Sequence, residues 1–169
     1  MTDAPAYGSP QMGFKEAVTI CFQKYVKISG RARRAEFWWF YLFTILLAIV
    51  AAILDGLLFG FDLDAPTPIG VVTSLAVLVP TITVIVRRLH DTGRPGYYIF
   101  VPLIGLVVGA LIMGIGLASN VSVIIGALVM AAGFILQLVW LIQKSQPGTN
   151  KYGPSPLEHP GQDMADVFE

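Results

Sequence analysis

Three short polar clusters hold most of the side chains in this sequence that could do chemistry. They read GRARRAEFW at 30–38, RRLHDTGRPGY at 87–97 and QPGTNKYGP at 146–154. Their arginines suit phosphate and carboxylate groups, because a planar guanidinium can donate two parallel hydrogen bonds to either. The one histidine among them titrates near neutral pH and could move protons. The clusters therefore predict either recognition of an anionic group or proton transfer.

The predicted anion-binding set takes its members from the first two clusters. It consists of Arg31, Arg34, Arg87, Arg88, His90, Asp91 and Arg94. Basic groups beside a membrane attract anionic head groups by about 1 kcal/mol each. The alternative is that the arginines only hold these loops on one side of a membrane. We favour binding for the second cluster, since orientation needs charge but neither a His-Asp pair nor a glycine turn.

Carboxylates in the same clusters predict internal ion pairs. Glu36 directly precedes a long apolar segment, and a lone carboxylate at a membrane boundary is costly unless an arginine neutralises it. The predicted pairs are Glu36 with Arg87 or Arg88, and Asp91 with Arg31 or Arg34. Such pairs would tie the first cluster to the second, and they compete with any ligand for the same arginines.

A second class of function, a membrane enzyme or lipid transporter, would use His90 with Asp91 or Glu36 to handle protons. Adjacent residues on a helix point apart, so His90 and Asp91 need not touch. The sequence has two histidines, His90 and His159, and one cysteine, Cys21, too few ligands for a typical metal site. We therefore expect no metal. We also assign no catalytic residue and no cofactor.

Four apolar segments must position these clusters. The chain of 169 residues is 55% hydrophobic and 13% charged, well below the charged fraction of about 25% in a soluble domain. We predict an all-α membrane protein, because each segment is close to the length of a bilayer span. The predicted transmembrane helices are 37–57, 69–86, 97–117 and 121–142. They belong to one domain at 13–156, between a flexible N-terminus at 1–12 and a flexible acidic tail at 157–169.

The distribution of basic residues predicts the orientation. All eleven lysines and arginines lie before the first span, between the second and third, or after the fourth. The other two loops, 61–68 and 118–120, have none. The positive-inside rule places both termini in the cytoplasm, so all three polar clusters are expected on that side.

A fifth, shorter helix is predicted before the first span. Phe14, Val18, Cys21, Tyr25 and Ile28 recur at spacings of four, three, four and three, which is one face of an amphipathic helix. Such a helix can lie at the membrane interface, on the inner leaflet. The same face can equally pack against the transmembrane helices, and the sequence leaves both arrangements open.

The spans themselves carry few polar groups. Asp55 is about 27 Å from the start of the first span at the standard helical rise, so we expect it in water at the far interface. Small residues recur in the last two spans at Gly105, Gly109, Gly126, Ala127 and Gly133. This pattern predicts close packing of the third helix on the fourth, or of two protomers.

Together, the three clusters resemble the motifs of the YhaH-like family of small bacterial inner-membrane proteins, domain of unknown function 805. The shared order is GR-x-x-R-x-E-[FY]-W, then RRLHD-x-G-[RK]-x-G-[WY], then PG-x-N-x-YG, and the likeness covers about 14–156. This chain has Pro95 where the family often has serine, and Tyr97 where tryptophan is common. The resemblance implies a four-helix inner-membrane fold and no particular reaction.

These observations predict a non-catalytic binding or scaffold module of the bacterial inner membrane. It would engage anionic lipid, a lipid-linked phosphate or a membrane-protein partner through cytoplasmic Arg, His and Asp side chains. The small-residue pattern also allows a homo-oligomer. Nucleic acid is not expected as a partner, since the membrane already explains the basic residues. The enzyme or transporter remains the alternative.

Overall fold

Five α-helices and one short 3₁₀ segment make up the part of the chain that the computed structural model describes, residues 12–62, 64–115 and 119–157. In order, they are α1 (Phe14–Gln23), α2 (Arg34–Phe59), α3 (Pro68–Asp91), the 3₁₀ segment (Gly96–Phe100), α4 (Val101–Ile115) and α5 (Asn120–Ile142). No β-strand occurs within those residues. The predicted all-α fold class is confirmed.

Four helical stretches in the described part are long and apolar enough to cross a membrane: α2, α3, the 3₁₀ segment continued by α4, and α5. α2 begins at Arg34 and α3 continues to Asp91, whereas the sequence pattern placed these ends at 37 and 86. Both helices extend into the charged segments because Glu36 of α2, and Arg87, Arg88 and Asp91 of α3, find partners inside the protein. The predicted end of the third span at 117, and nearly all of the predicted flexible ends, lie outside the described residues.

The helices form two antiparallel hairpins, α2 with α3 and α4 with α5. In the second hairpin, Gly105 faces Gly133 and Gly109 faces Gly126, so the two backbones approach closely. A Cβ atom on Gly109 would lie 2.5 Å from the carbonyl oxygen of Gly126. The sequence left open whether these glycines pack the last two helices together or pack two protomers together. In the structure they bring α4 and α5 of one chain into contact.

Gly109→Ala should destabilise the protein by about 1–3 kcal/mol, because the added methyl group forces the two backbones apart. The matched control is Gly114→Ala on the same helix, where no neighbouring atom lies within 4 Å of a new Cβ and alanine suits a helix better than glycine. Thermal unfolding in detergent measures the stability of both variants. It is followed by the reaction of a thiol-reactive dye with Cys21, the one cysteine of the chain, which is buried in the folded protein. Equal midpoints for the two variants would contradict the close α4–α5 contact.

At the far end of the first hairpin, one carboxylate ties α2 to the start of α3. Asp55 is buried and accepts hydrogen bonds from the backbone N–H groups of Ile69 at 3.0 Å and Gly70 at 2.7 Å. The expectation that Asp55 lies in water is therefore wrong. The first N–H groups of a helix lack partners within it, and a carboxylate there also meets the positive end of the helix dipole. These contacts offset the cost of burying Asp55.

α1 packs on the first hairpin through one face. It buries Ala17, Ile20 and Cys21 against α2 and α3. The helix ends at Gln23, so the last two members of the predicted amphipathic face lie in the loop that follows. Phe14, the first member of that face, is exposed. α1 therefore has one face on the protein and another turned away from it.

The loop after α1 is fastened to α3 at a proline. Pro80 lies inside α3 and has no N–H, so the carbonyl of Ala76, four residues earlier, loses its helical donor. The Tyr25 hydroxyl donates to that carbonyl at 2.8 Å. The Thr83 hydroxyl in turn donates to the carbonyl of Tyr25 at 3.2 Å. Tyr25 thus replaces the hydrogen bond that Pro80 removes.

Tyr25→Phe should destabilise the protein by about 1–2 kcal/mol, because it leaves a carbonyl unpaired in apolar surroundings. In a Pro80→Ala background, residue 80 regains its N–H, so the same substitution should cost much less. A double-mutant cycle of unfolding free energies measures this coupling. Simple additivity of the two substitutions would argue against the compensating hydrogen bond.

Candidate functional site

A buried ion pair joins α2 and α3 at the end of the first hairpin where the polar clusters lie. Glu36 is in the first turn of α2, and its carboxylate pairs with Arg87 of α3, both side chains being at most 2% exposed. Arg87 is one of the two partners that the sequence allowed. The Nε and Nη2 groups of Arg87 have no hydrogen-bond partner among the described residues. Glu36 is therefore the group that balances this buried charge.

Asp91, at the end of α3, is shared by two arginines. Arg31 donates from Nε to one carboxylate oxygen at 3.0 Å, and Arg88 donates from Nη1 to the other. The Ser145 hydroxyl also donates to the second oxygen. The three charged side chains are at most 1% exposed. Arg88, which the sequence also offered to Glu36, is thus engaged by Asp91.

Arg31 and Arg88 donate in addition to backbone carbonyls at and beyond the end of α5. The acceptors are Leu141 and Gln143 for Arg88, and Gln146 and Gly148 for Arg31. The last carbonyls of a helix have no partner within it. A guanidinium with five donors can satisfy a carboxylate and several carbonyls at once. The two arginines therefore join the first and second clusters to the chain after α5.

The third cluster closes over the end of α3. The N–H of Gln146 donates to the carbonyl of Asp91 at 2.9 Å. The side-chain amide of Asn150 donates to the carbonyl of His90 at 3.0 Å. All three polar clusters of the sequence are therefore in contact around the last turn of α3.

His90 contacts the backbone and an aromatic ring. Its ring is stacked on Tyr152, with centroids 3.8 Å apart and planes 4° apart, and its Nδ1 lies 3.2 Å from the carbonyl oxygen of Gly30. Within the described residues, no hydrogen bond joins His90 to Asp91 or Glu36, the carboxylates considered as its proton partners. In the same part of the chain, no group of three His, Cys, Asp or Glu side chains is arranged to hold a metal ion.

Two members of the predicted anion-binding set face outward. Arg34 is exposed at the start of α2. Arg94 is half-buried, and its guanidinium carbon lies 5.2 Å from the centroid of the Trp140 ring, which is a cation–π distance. The internal charged residues, called the buried ion-pair cluster below, are Arg31, Glu36, Arg87, Arg88 and Asp91.

Cys21 lies beside this cluster as an inert thiol. It is fully buried, with its Sγ atom 4.0 Å from a carboxylate oxygen of Glu36. Burial, together with the charge of Glu36, raises the pKa of Cys21 to about 12. The thiolate is the reactive form, so Cys21 should react with a thiol reagent when the protein unfolds and not before.

Sequence reasoning missed two polar contacts of this region. Arg33 is buried, and its Nη2 atom lies 3.8 Å from the Oε1 atom of Glu16 in α1. A signal for that pair was present, since Glu16 is the one acidic residue of α1. Ser145 had no such signal, because nothing in the surrounding sequence separates it from an exposed serine.

Comparison with known proteins extends the argument from the three clusters to a family. The family model described as "Protein of unknown function (DUF805)" matches residues 25–154, a stretch that contains all three clusters. The chain belongs to the DUF805 family. In this DUF805 chain, the buried ion-pair cluster is the place where the three matched motifs meet.

Two inner-membrane proteins of Escherichia coli (strain K12) are similar to this DUF805 chain. It is 40% identical to Inner membrane protein YhaI over 89 residues, which are 51% of this chain and 72% of that protein. It is 28% identical to Inner membrane protein YhaH over 138 residues, which are 82% of this chain and 93% of that protein. No solved structure matches the chain. Both relatives are named as inner-membrane proteins, and the described part of this DUF805 chain has four helices long and apolar enough to cross a membrane, so it is a membrane protein.

Asp91→Asn should destabilise this DUF805 protein by about 3–5 kcal/mol, because it leaves Arg31 and Arg88 buried without their counter-charge. Arg34→Gln is the control, since an exposed charge changes stability by less than about 0.5 kcal/mol. The dye reaction of Cys21 on heating gives both unfolding midpoints. An Asp91→Asn midpoint as high as that of Arg34→Gln would mean that Asp91 does not neutralise the two arginines.

Proposed function

We propose that this chain is a non-catalytic scaffold module of the inner membrane that binds anionic lipid head groups on its cytoplasmic side. The buried ion-pair cluster holds the helices and loops together. A separate set of outward cations meets the head groups. The observation that carries the binding role is the position of Arg94 over the Trp140 ring.

The contacts of the buried cluster support a scaffold role for it. Its arginines donate to carboxylates and carbonyls of the chain itself, and both Arg87 and Arg88 are fully buried. A head group could reach Arg31 or Arg88 only by displacing those partners, and breaking a buried pair costs about 3–5 kcal/mol. Arg87 keeps two donors without a partner among the described residues, but its side chain is fully buried, so a head group could reach it only if the chain around it moved. A phosphate near a juxtamembrane cation gains about 1 kcal/mol. Replacing a buried ion pair by a contact with a lipid phosphate is therefore unfavourable. We assign head-group binding to cations outside the cluster.

The outward cations supply the proposed binding surface. This basic rim consists of Lys15, Lys27, Arg34, Arg94, Lys144 and Lys151, all exposed or half-buried. Arg94 is held over Trp140, whose ring lies 4.8 Å from that of Tyr98. Tryptophan and tyrosine prefer the level of the head groups. The aromatic pair thus holds a cation at the level of the lipid phosphates.

Charge asymmetry supports the cytoplasmic orientation. The opposite end of the hairpins carries the exposed carboxylates of Asp62 and Asp64, and the 61–68 loop has no lysine or arginine. Loops rich in lysine and arginine stay in the cytoplasm. The cytoplasmic leaflet also presents the negative surface potential that attracts such groups.

A head-group role has more support than proton handling. His90 contacts Tyr152 and Gly30. Asp91 contacts two arginines, and Glu36 contacts Arg87, so the three groups do not form a path for protons. A lipid-linked phosphate offers the rim the same chemical group as an anionic lipid. The experiment therefore has to separate these two sources of phosphate.

Lipid retention by wild type and Arg94→Gln tests the proposal. Protein in nanodiscs of phosphatidylethanolamine and phosphatidylglycerol is released into native mass spectrometry, and the bound lipids are counted. Loss of one contact worth about 1 kcal/mol should lower the ratio of bound phosphatidylglycerol to phosphatidylethanolamine about fivefold. Arg34→Gln probes a second rim position. Asp62→Asn, at the opposite end, is the control that changes charge without touching the rim.

A parallel sample with added polyprenyl phosphate distinguishes the two ligands, since the preferred one displaces the other from the wild-type protein. If the ratio of bound phosphatidylglycerol to phosphatidylethanolamine is the same for wild type and both arginine variants, the head-group role is contradicted. The scaffold role would then stand alone.

A further inference from the structure

Two polar ties in the first hairpin set a depth scale for the apolar layer. One is the pair of Glu36 with Arg87, and the other joins Asp55 to the N–H of Ile69. Ile69 and Arg87 are 18 residues apart on α3, which is about 27 Å along the helix. The hydrocarbon core of a bilayer is about 30 Å thick. The apolar layer therefore begins near the level of Glu36 and Arg87.

Two aromatic side chains of α1 reach deeper than that level. The rings of Phe14 and Phe22 pack on the ring of Phe43, with centroids 6.4 and 5.8 Å apart. Phe43 follows Glu36 by seven residues on α2, so it lies about 10 Å further into the layer. The Phe14 and Phe22 side chains are therefore at the depth of hydrocarbon.

The loop after α1 is held at a similar depth. The carbonyl of Tyr25 accepts a hydrogen bond from Thr83, which is about 6 Å deeper than Arg87 along α3. The Tyr25 hydroxyl reaches deeper still, to the carbonyl of Ala76. Two hydrogen bonds to α3 thus prevent this loop from rising into water.

Large apolar side chains of α1 and of the loop after it are turned away from the protein. Phe22 is 41% exposed, Val26 75% and Ile28 57%. Burial lowers the pKa of Lys24 in the same segment, while Lys27 is exposed. Lysine stems can lie along apolar surroundings and carry their ammonium groups back to the head groups. The exposed apolar side chains therefore face an apolar medium, and the lysines fit its edge.

We propose that Phe22, Val26 and Ile28 form a contact surface for the acyl chains of the leaflet at the basic end. α1 is then embedded in that leaflet beside the transmembrane helices. Embedded amphipathic helices lie about 5–10 Å into the leaflet, which agrees with both depths found above. Acyl-chain contact does not depend on lipid charge, so this surface is independent of the head-group role of the rim.

Nitroxide labels in the full chain test the surface, in bilayers of phosphatidylethanolamine and phosphatidylglycerol. Val26→Cys and, as a second site, Ile28→Cys are made in a Cys21→Ala background. Electron paramagnetic resonance compares collisions of the label with oxygen, which concentrates among acyl chains, and with a charged, water-soluble nickel chelate. Ile49→Cys, exposed in the middle of α2, is the acyl-chain control. Thr149→Cys, exposed after α5 and outside the basic rim, is the water control.

We expect the oxygen-to-nickel ratio at both sites to exceed that of the Thr149→Cys label about tenfold, because hydrocarbon excludes the charged chelate. A ratio equal to the water control would place the loop in water and overturn the proposal. Few collisions with either reagent would mean that protein covers the surface, which overturns it too. Spin–spin broadening that fades on dilution with lipid would then identify the cover as a second copy of the chain.

Discussion

A guanidinium group keeps its charge in a protein, so an arginine that is buried at the edge of a bilayer has to be neutralised there. Arg87 and Arg88 are fully buried at this level, and Arg31 nearly so. Glu36 and Asp91 supply the counter-charges, and carbonyls at and beyond the end of α5 accept hydrogen bonds from the remaining donors of Arg31 and Arg88. Because these partners come from separate stretches of the chain, neutralisation determines how the hairpins, the segment before α2 and the C-terminal segment are arranged.

The end of α3 explains the glycine turn, which sequence analysis interpreted as a sign of ligand binding. Gly93 follows α3 with a φ of 77°, a conformation that commonly ends a helix and favours glycine. The N–H of Gly93 donates to the carbonyl of His90 at 3.0 Å, and that of Arg94 to Leu89 at 2.9 Å. The glycine turn thus has a structural cause. It ends α3 directly after Asp91 and begins the segment that holds Arg94 over Trp140.

Hydropathy and charge sufficed to predict the four long helices, because every apolar segment and basic loop carries its own compositional signal. The need of Glu36 for an arginine could be inferred from the cost of a lone carboxylate, but the choice between Arg87 and Arg88 depends on how α3 faces α2. Acceptors such as the carbonyl of Gln146 could not be predicted, since every residue has a carbonyl. Asp55 was placed in water because its partners belong to the backbone of the next helix, which no side-chain pattern reveals.

Polar contacts pin the α2–α3 hairpin at both ends, at Glu36 with Arg87 and at Asp55 with Ile69 and Gly70. Neither helix can slide along the other without breaking a buried contact, so the pair has a fixed hydrophobic length. In a membrane of different thickness, the mismatch has to be taken up by tilting the whole hairpin or by deforming the surrounding lipid. The hairpin therefore keeps its length, and either its tilt or the thickness of the surrounding lipid changes.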